Sequence, residues 1–423
     1  MIQIIPHLSH GVFYGASVSH LAVTGGFGEA AYAVTFSAAA AKHPWSVAGT
    51  FRHLVIGCNV PHPALTATLL VNGVATALTV SLAAGAALAA NTGDAVAVAA
   101  GDDVCYRIAG TQQNFPGLVH FSTCLEFEGA VASYGITAYT TGGSVPSVGK
   151  RGIGGALGNG EWMSYGSDPG PVQSNTYSIC AAPGAITRLD LKTFAAGPGG
   201  GAWVAWVRKN GVTQDGTGGT VDTACTLPDP AIHAFSAFSL PLALTDLVDL
   251  VLARTGSPGP AALAHVAASV AFTPTTAGMY MLCGGSNDAI RSDGPDWKWP
   301  RCDQLVTTES HGEAHIGPAG LRAAGLYVRR AGPPSPGRGT VYMLRRSGTD
   351  TPITLTIQDM EVTGQVQADV DFASGDAITV QATPFNNAVS NGFHWGLALR
   401  GPTIIIVHPP RFCPVDFPID PND

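Results

Sequence analysis

The sequence predicts an all-β chain: three tandem antiparallel β-sandwich domains, jelly-roll-like, followed by an extended C-terminal arm. Three observations carry that expectation. The composition is rich in turn formers and poor in charge, one block pattern recurs three times, and the strands are short, alternating and bounded by Gly-containing turns. A chain of 423 residues suits about three domains of ordinary size, each long enough to bury its own core.

Composition sets the class. The chain holds 53 Gly and 30 Pro yet is 46% hydrophobic, which disfavours both disorder and helix and suits many turns between strands. Only 12% of residues are charged, about half the usual share. A freely diffusing monomer keeps a charged surface for solubility, so this composition points to a subunit of an assembly; a secreted β-protein with a Ser/Thr-rich face is the alternative. The net charge of −8 is spread along the chain without a basic cluster, against nucleic-acid binding. The opening MIQIIPHLSHGVF does not read as a secretory signal. The Ala-rich stretch Ser81 to Ala100 is broken by Gly85, Asn91, Gly93 and Asp94, so no membrane span is expected. Eight Cys without a CxxC pair read as small buried hydrophobes rather than a disulfide framework.

The elements then follow in order. PWSVAGTFRHLVIG around Leu54 recurs as CAAPGAITRLDLKTF around Leu189 and as HIGPAGLRAAGLYVRR around Leu326. Each is followed by a strand, a two-residue turn and a Thr-rich strand, with Asn72-Gly73, Asn210-Gly211 and Ser347-Gly348 at the turns. Asn-Gly accepts positive φ at both central positions, which matches hairpin twist. Next come VAVAAGDDVCYRI, LALTDLVDLVLAR and VDFASGDAITVQA, each with an Asp in a short turn (Asp102, Asp246, Asp376). Closing strands LVHFSTCLEFEG, LAHVAASVAFTPT and GFHWGLALRGP align His120, His265 and His394. Four collinear blocks in triplicate define repeats, placed at residues 1–129, 130–274 and 275–408. About eight strands per repeat favour a two-sheet sandwich of jelly-roll topology.

Two regions differ from the repeat. The segments before the Leu-bearing strands vary most among copies and are the expected place for copy-specific contacts. Residues 409–423 carry Pro409, Pro410, Pro414, Pro418 and Pro421, which prevent helix and favour an extended arm. Phe412 and Phe417 on that arm are candidate contacts to a neighbouring subunit; a frayed terminus is the other reading.

Catalytic patterns are wanting. Gly149-Lys150 lacks the spacing and the strand-to-helix setting of a phosphate loop and reads as a solvated loop. Neither a GxSxG elbow nor an HExxH helix occurs. The three recurring His come from separate domains, and His311, Glu313 and His315 lie in a Gly-rich segment, so neither set predicts a metal. The loop from Asp288 to Asp303 lacks the alternation of a calcium loop. Trp297 and Trp299, two apart, are candidate binding residues that could stack on sugars or anchor a partner; plugging the end of a sandwich is the alternative. No cofactor is implied.

The elements GTFRHLVIG, LLVNGVATALTV and VAVAAGDDV, echoed in the other copies, resemble tandem jelly-roll domains of tailed-phage virion structural proteins, of the capsid decoration and head or tail fibre types. The second repeat departs most, with Thr245-Asp246 where the others have Gly-Asp. The resemblance implies a non-enzymatic protein of the virion surface, made in the host cytoplasm. It would act as a capsid decoration or cement protein with its domains stacked outward. Its partners would be itself, as a homotrimer, and the major capsid protein or another virion protein. Two other functions stand beside this one: a tail fibre or receptor-binding protein contacting host glycans, and a secreted carbohydrate-binding sandwich.

Overall fold

The computed structural model describes residues 1–11, 18–21, 23, 42–58, 64–110, 119–138, 148–152, 178–193, 201–210, 212–213, 223–256, 266–290, 295–298, 309, 314–330, 332–386 and 390–401. The first sandwich comprises β1 (Ile2–Gly11), β2 (Val18–Leu21), β3 (His43–Pro44), β4 (Gly49–Gly57), β5 (Leu65–Val71), β6 (Val74–Leu82), β7 (Leu88–Val98), β8 (Asp103–Gly110) and β9 (Val119–Gly129). One sheet has the order β1-β9-β4-β7; the other is β2-β8-β5-β6, with β3 also on β8. Every pairing is antiparallel. A strand order that interleaves chain ends in this way is the jelly roll.

The second sandwich uses β10 (Ala132–Ala138), β11 (Val148–Gly152), β12 (Ser178–Ile179), β13 (Gly184–Thr193), β14 (Gly201–Lys209), β15 (Val212–Thr213), β16 (Cys225–Pro228), β17 (His233–Leu242), β18 (Leu247–Gly256) and β19 (Val266–Pro274). The third uses β20 (Met279–Ile290), β21 (Asp296–Lys298), β22 (Ala314–His315), β23 (Leu321–Arg330), β24 (Gly339–Arg346), β25 (Thr349–Gln358), β26 (Thr363–Val366), β27 (Val370–Phe372), β28 (Ala377–Phe385) and β29 (Ser390–Arg400). Their sheets repeat the first pair: β10-β19-β13-β17 with β11-β18-β14-β15, and β20-β29-β23-β26 with β21-β28-β24-β25. We call the sheet holding the first and last strands of each copy the closing sheet, and its mate the hairpin sheet.

Each Leu-bearing strand carries a bulge. The register slips between Arg52 and Leu54, between Ile186 and Arg188, and between Ala323 and Gly325. An extra residue resets the period-two alternation, and Leu54, Leu189 and Leu326 then point into the cores, fully buried. The same register corrects the histidine alignment. Phe127, Phe272 and Leu399 are equivalent, lying opposite Phe51, Ile186 and Ala323. His394 is therefore level with Ser122 and Ala267, two positions beyond His120; His265 lies outside the described residues. Matching by sequence had let loop-length drift run into the strand.

The recurring turn residues lock to each other. The Asn72 amide donates from Nδ2 to Asp102 Oδ1 at 2.8 Å, and its Oδ1 accepts from the Asp103 backbone at 2.9 Å. Asn210 repeats both bonds with Asp246 and Leu247, each at 2.8 Å. Ser347, with a shorter side chain, makes only the second, from Ala377 N at 3.0 Å. All three residues sit at positive φ, 51°, 53° and 46°, which Asn tolerates best. The carboxylates also brace their own turns, accepting from Ala99, Ala243 and Ala373 N. Thr245 takes φ 69° where Gly101 and Gly375 take 93° and 83°, so the departure of the second copy changes the residue without changing the turn.

Within the first core Trp45 meets Phe51 and Phe127 edge-on, each at 4.9 Å. The described cysteines, Cys58, Cys105, Cys124, Cys180, Cys225 and Cys283, are buried thiols. Burial pushes Cys105 and Cys180 up to about 12 and Cys225 to about 11, so they pack as apolar groups.

Candidate functional site

The central strand of an isolated sandwich shows one face to water, so its residues should alternate. Three strands break that rule. Residues 121–127, 266–272 and 393–399 are buried at every position. Their inward residues fill the cores; their outward ones are mostly small, with Cys124, Ser269 and Gly396 at one level and Glu126, Ala271 and Ala398 at the next. Something covers each closing sheet from outside.

The cover is the neighbouring sandwich. The segment at β3 packs on β19, β10 and β13; β12 packs on β29, β20 and β23; β22 packs on β9, β1 and β4. The first copy covers the second, the second covers the third, and the third returns to cover the first. The sandwiches thus close a ring rather than stacking in a line, because each offers one uncovered closing sheet and one end shaped to cover the next. Equivalent atoms hold that end in all three copies. Trp45, Cys180 and Ile316 each donate a backbone bond to the turn carbonyl of Asp102, Asp246 and Asp376, each at 2.8 Å. The bonds back from Gly101, Thr245 and Gly375 complete each pair. The Asn–Asp lock lies directly behind this end.

The three seams share positions and differ in chemistry. At the first, Ser46 N donates to Ser133 Oγ at 3.1 Å, and the Ser46 and Ser269 hydroxyls are hydrogen-bonded. The Gln3 side-chain amide pairs twice with the Ser133 backbone at 3.0 Å. Lys192 and Asp103 form an ion pair at 2.7 Å. Behind Ser46 lies Asp190, fully buried, which accepts two 2.7 Å bonds from Arg188 and one at 3.1 Å involving His233. Burial pushes the Asp190 carboxyl up, but hydrogen bonds from Arg188, His233 and Ser46 outweigh it and hold the group below the usual carboxylate range. The Arg188 guanidinium also lies 4.0 Å over the Phe235 ring.

The second seam is apolar. Its equivalents of Ser46, Ser269 and Asp190 are Ala181, Gly396 and Tyr327. A Cβ on Gly396 would fall 2.6 Å from Ile179 and 3.0 Å from the Ala181 Cβ; no larger residue fits. Tyr134 Oη accepts from Met281 N at 2.9 Å and the Cys283 thiol donates to Ile179 O at 3.3 Å. The third seam is mixed, with Gly317, Cys124 and Val55 at those positions. Glu126, also buried, accepts from Ala319 N at 2.8 Å and meets His53 Nδ1 at 2.7 Å. A cavity of about 290 Å³ opens beside this seam, lined by Ala319, Leu321, Arg322, Asp371, Phe372, Arg400 and Gly401. Arg322 there is engaged by Asp371 at 2.6 and 3.0 Å.

The candidates named from sequence fall elsewhere. Trp297, expected in a loop, is on β21 opposite Gln381; Trp299, Phe412 and Phe417 lie outside the described residues, as does the arm. Gly149-Lys150, expected in a solvated loop, is in β11 paired with β18. Asp288 extends β20 and His315 pairs in β22, while His311, Glu313 and Asp303 are outside the described residues. Among the described residues no three His, Cys, Asp or Glu side chains gather to hold a metal ion. The seam residues were missed, although unbroken runs of apolar and small residues such as VAASVAF signal burial on both faces. A scan against family models matches none, and a search of curated proteins finds no relative.

Proposed function

We propose that this chain is a non-enzymatic structural protein of a tailed-phage particle, a capsid-surface decoration or cement protein that stabilises the head by bridging neighbouring subunits. Its partner is the major capsid protein or another virion protein, and its place is the virion surface. One observation supports this best: the side chains that recur in all three copies are spent on architecture. Asn72 with Asp102, Asn210 with Asp246, and Ser347 with the Ala377 backbone lock the ends that cover the neighbouring sheets, and the buried carboxylates Asp190 and Glu126 meet Ser46 and Ala319 across two of the seams. Such a molecule works by presenting a rigid surface and burying part of it against partners. The resemblance to virion jelly rolls supplies the setting; fold likeness alone does not fix function.

Quantitative mass spectrometry of purified particles tests the reading. Copies comparable in number to the capsid lattice are expected. A handful per particle would move the protein to the tail or a vertex, and absence would overturn the virion assignment. A tail-fibre role touching host glycans makes a separate expectation: glycan-array binding that is lost on Trp297→Ala.

A further inference from the structure

Three sandwiches in a ring can be made by three chains or by one. Were the copies interchangeable, all seams would be alike. They are not. Ser46 meets Ser269 and Asp190 across the first seam, whereas the same positions carry Gly396 and Tyr327 in the third copy and Cys124 and Val55 in the first. Asp103 meets Lys192 at the first seam. At the other two, Leu247 and Ala377 stand in place of Asp103, and Arg329 and Gly57 stand in place of Lys192. Moving any copy to another's place would leave the Lys192–Asp103 pair unmade and Asp190 without Ser46. Each end therefore fits one sheet only, and that sheet is in the same chain.

The chain links also suit a ring. Only Ala130 and Val131 separate β9 from β10, and 275–278 separate β19 from β20. The last described residue, Gly401, returns to the start, where a Cβ on it would lie 2.2 Å from the Ile2 carbonyl oxygen. The faces left uncovered include the outer sides of the hairpin sheets, where β6 and β25 keep alternating exposed residues such as Thr79, Ser81, Thr356 and Gln358. Those faces recur around a pseudo-threefold axis.

We infer that the chain is the one-copy equivalent of a homotrimer. It is a monomer in solution, and it seats singly where three like subunits of a partner protein meet around a threefold axis. The homotrimer implied by the sequence resemblance is replaced by one chain. The seating rests on the virion reading above; the closed ring does not.

The test begins with the isolated protein. Specific protease sites are inserted after Ala130 and after Thr276, both exposed, and the folded chain is cut at both. Native mass spectrometry is expected to give 43.2 kDa for the uncut protein and a complex of three fragments near that mass after cutting. Separation of the fragments on cutting would overturn the ring, and an uncut species at three times the chain mass would overturn the monomer. In particles, one chain per occupied threefold position is expected. Three chains per position would overturn single seating, and absence from particles would overturn seating and the virion reading while leaving the native-mass result intact.

Discussion

Asp190 shows how much a single buried side chain contributes. A carboxylate out of water is costly unless its hydrogen bonds are made, and Arg188, His233 and Ser46 make them. Asp190→Ala should destabilise by about 3 kcal/mol at pH 7, since it leaves the Arg188 charge half-buried beside an apolar hole. The folded-state pKa is depressed, so the stabilisation is fully present above the unfolded value near 4 and is lost as pH falls through the folded value. Urea unfolding at pH 7 and pH 3 should therefore show a gap between parent and variant that narrows in acid; an equal gap at both would refute the assignment. A second test concerns Arg208 and Asp249, both fully buried and paired at 2.8 Å through Nε. The first copy has Leu70 and Cys105 at these positions, buried together. Arg208→Leu or Asp249→Cys alone should cost several kcal/mol, about 3 to 5. The pair together should cost well under their sum, which a double-mutant cycle measures.

At the scale of elements, the hairpin and the Asp turn act as one device. Ser347 makes one of the two lock bonds that Asn makes elsewhere, and it holds a positive φ that Asn accepts more readily. Ser347→Asn should stabilise the protein by about 0.5–1 kcal/mol through a new bond to Asp376, seen as a higher denaturation midpoint. Asn210→Ala should lose a similar amount or more; no change would detach the lock from stability. These turns were legible in the sequence because their chemistry is local: an Asn-Gly step and an Asp a strand away suffice. The sandwich class was legible for the same reason, through period-two strands and turn residues. The bulges before Leu54, Leu189 and Leu326 were not, since an extra residue leaves no mark on composition and shows only as a slip against a distant partner strand. The histidine alignment failed for another reason, loop-length drift carried into the closing strands. The seams were hidden for a reason related to that of the bulges. The unbroken runs around Gly396 and Ala271 signal burial on both faces, but not which distant segment of the chain covers them.

The whole molecule depends on the seams as much as on the cores. The largest apolar cluster does not respect the copies: it joins the second and third cores with Val55 and Cys124 of the first, while Ala271 of the second joins the first core. Such continuity should make the sandwiches unfold together, because exposing one closing sheet strips cover from its neighbour. Gly396→Val probes this without touching the interior of any one sandwich. The added atoms would strike Ile179 and Ala181 across the second seam, at a cost of about 1–3 kcal/mol by overpacking. Gly93→Ala, where a Cβ meets nothing within 4 Å, is the control and should stay within about 0.5 kcal/mol of the parent. Calorimetry should show one transition for the parent and control. For Gly396→Val it should show a broadened or split transition, with faster proteolysis at residues 275–277 as the second seam loosens. Two separate transitions in the parent would mean that the copies fold independently. A ring closed by unlike seams would then order the sandwiches without coupling them. A single parent transition that splits only when Gly396 is enlarged ties the cooperativity to that seam, and so to the closed ring.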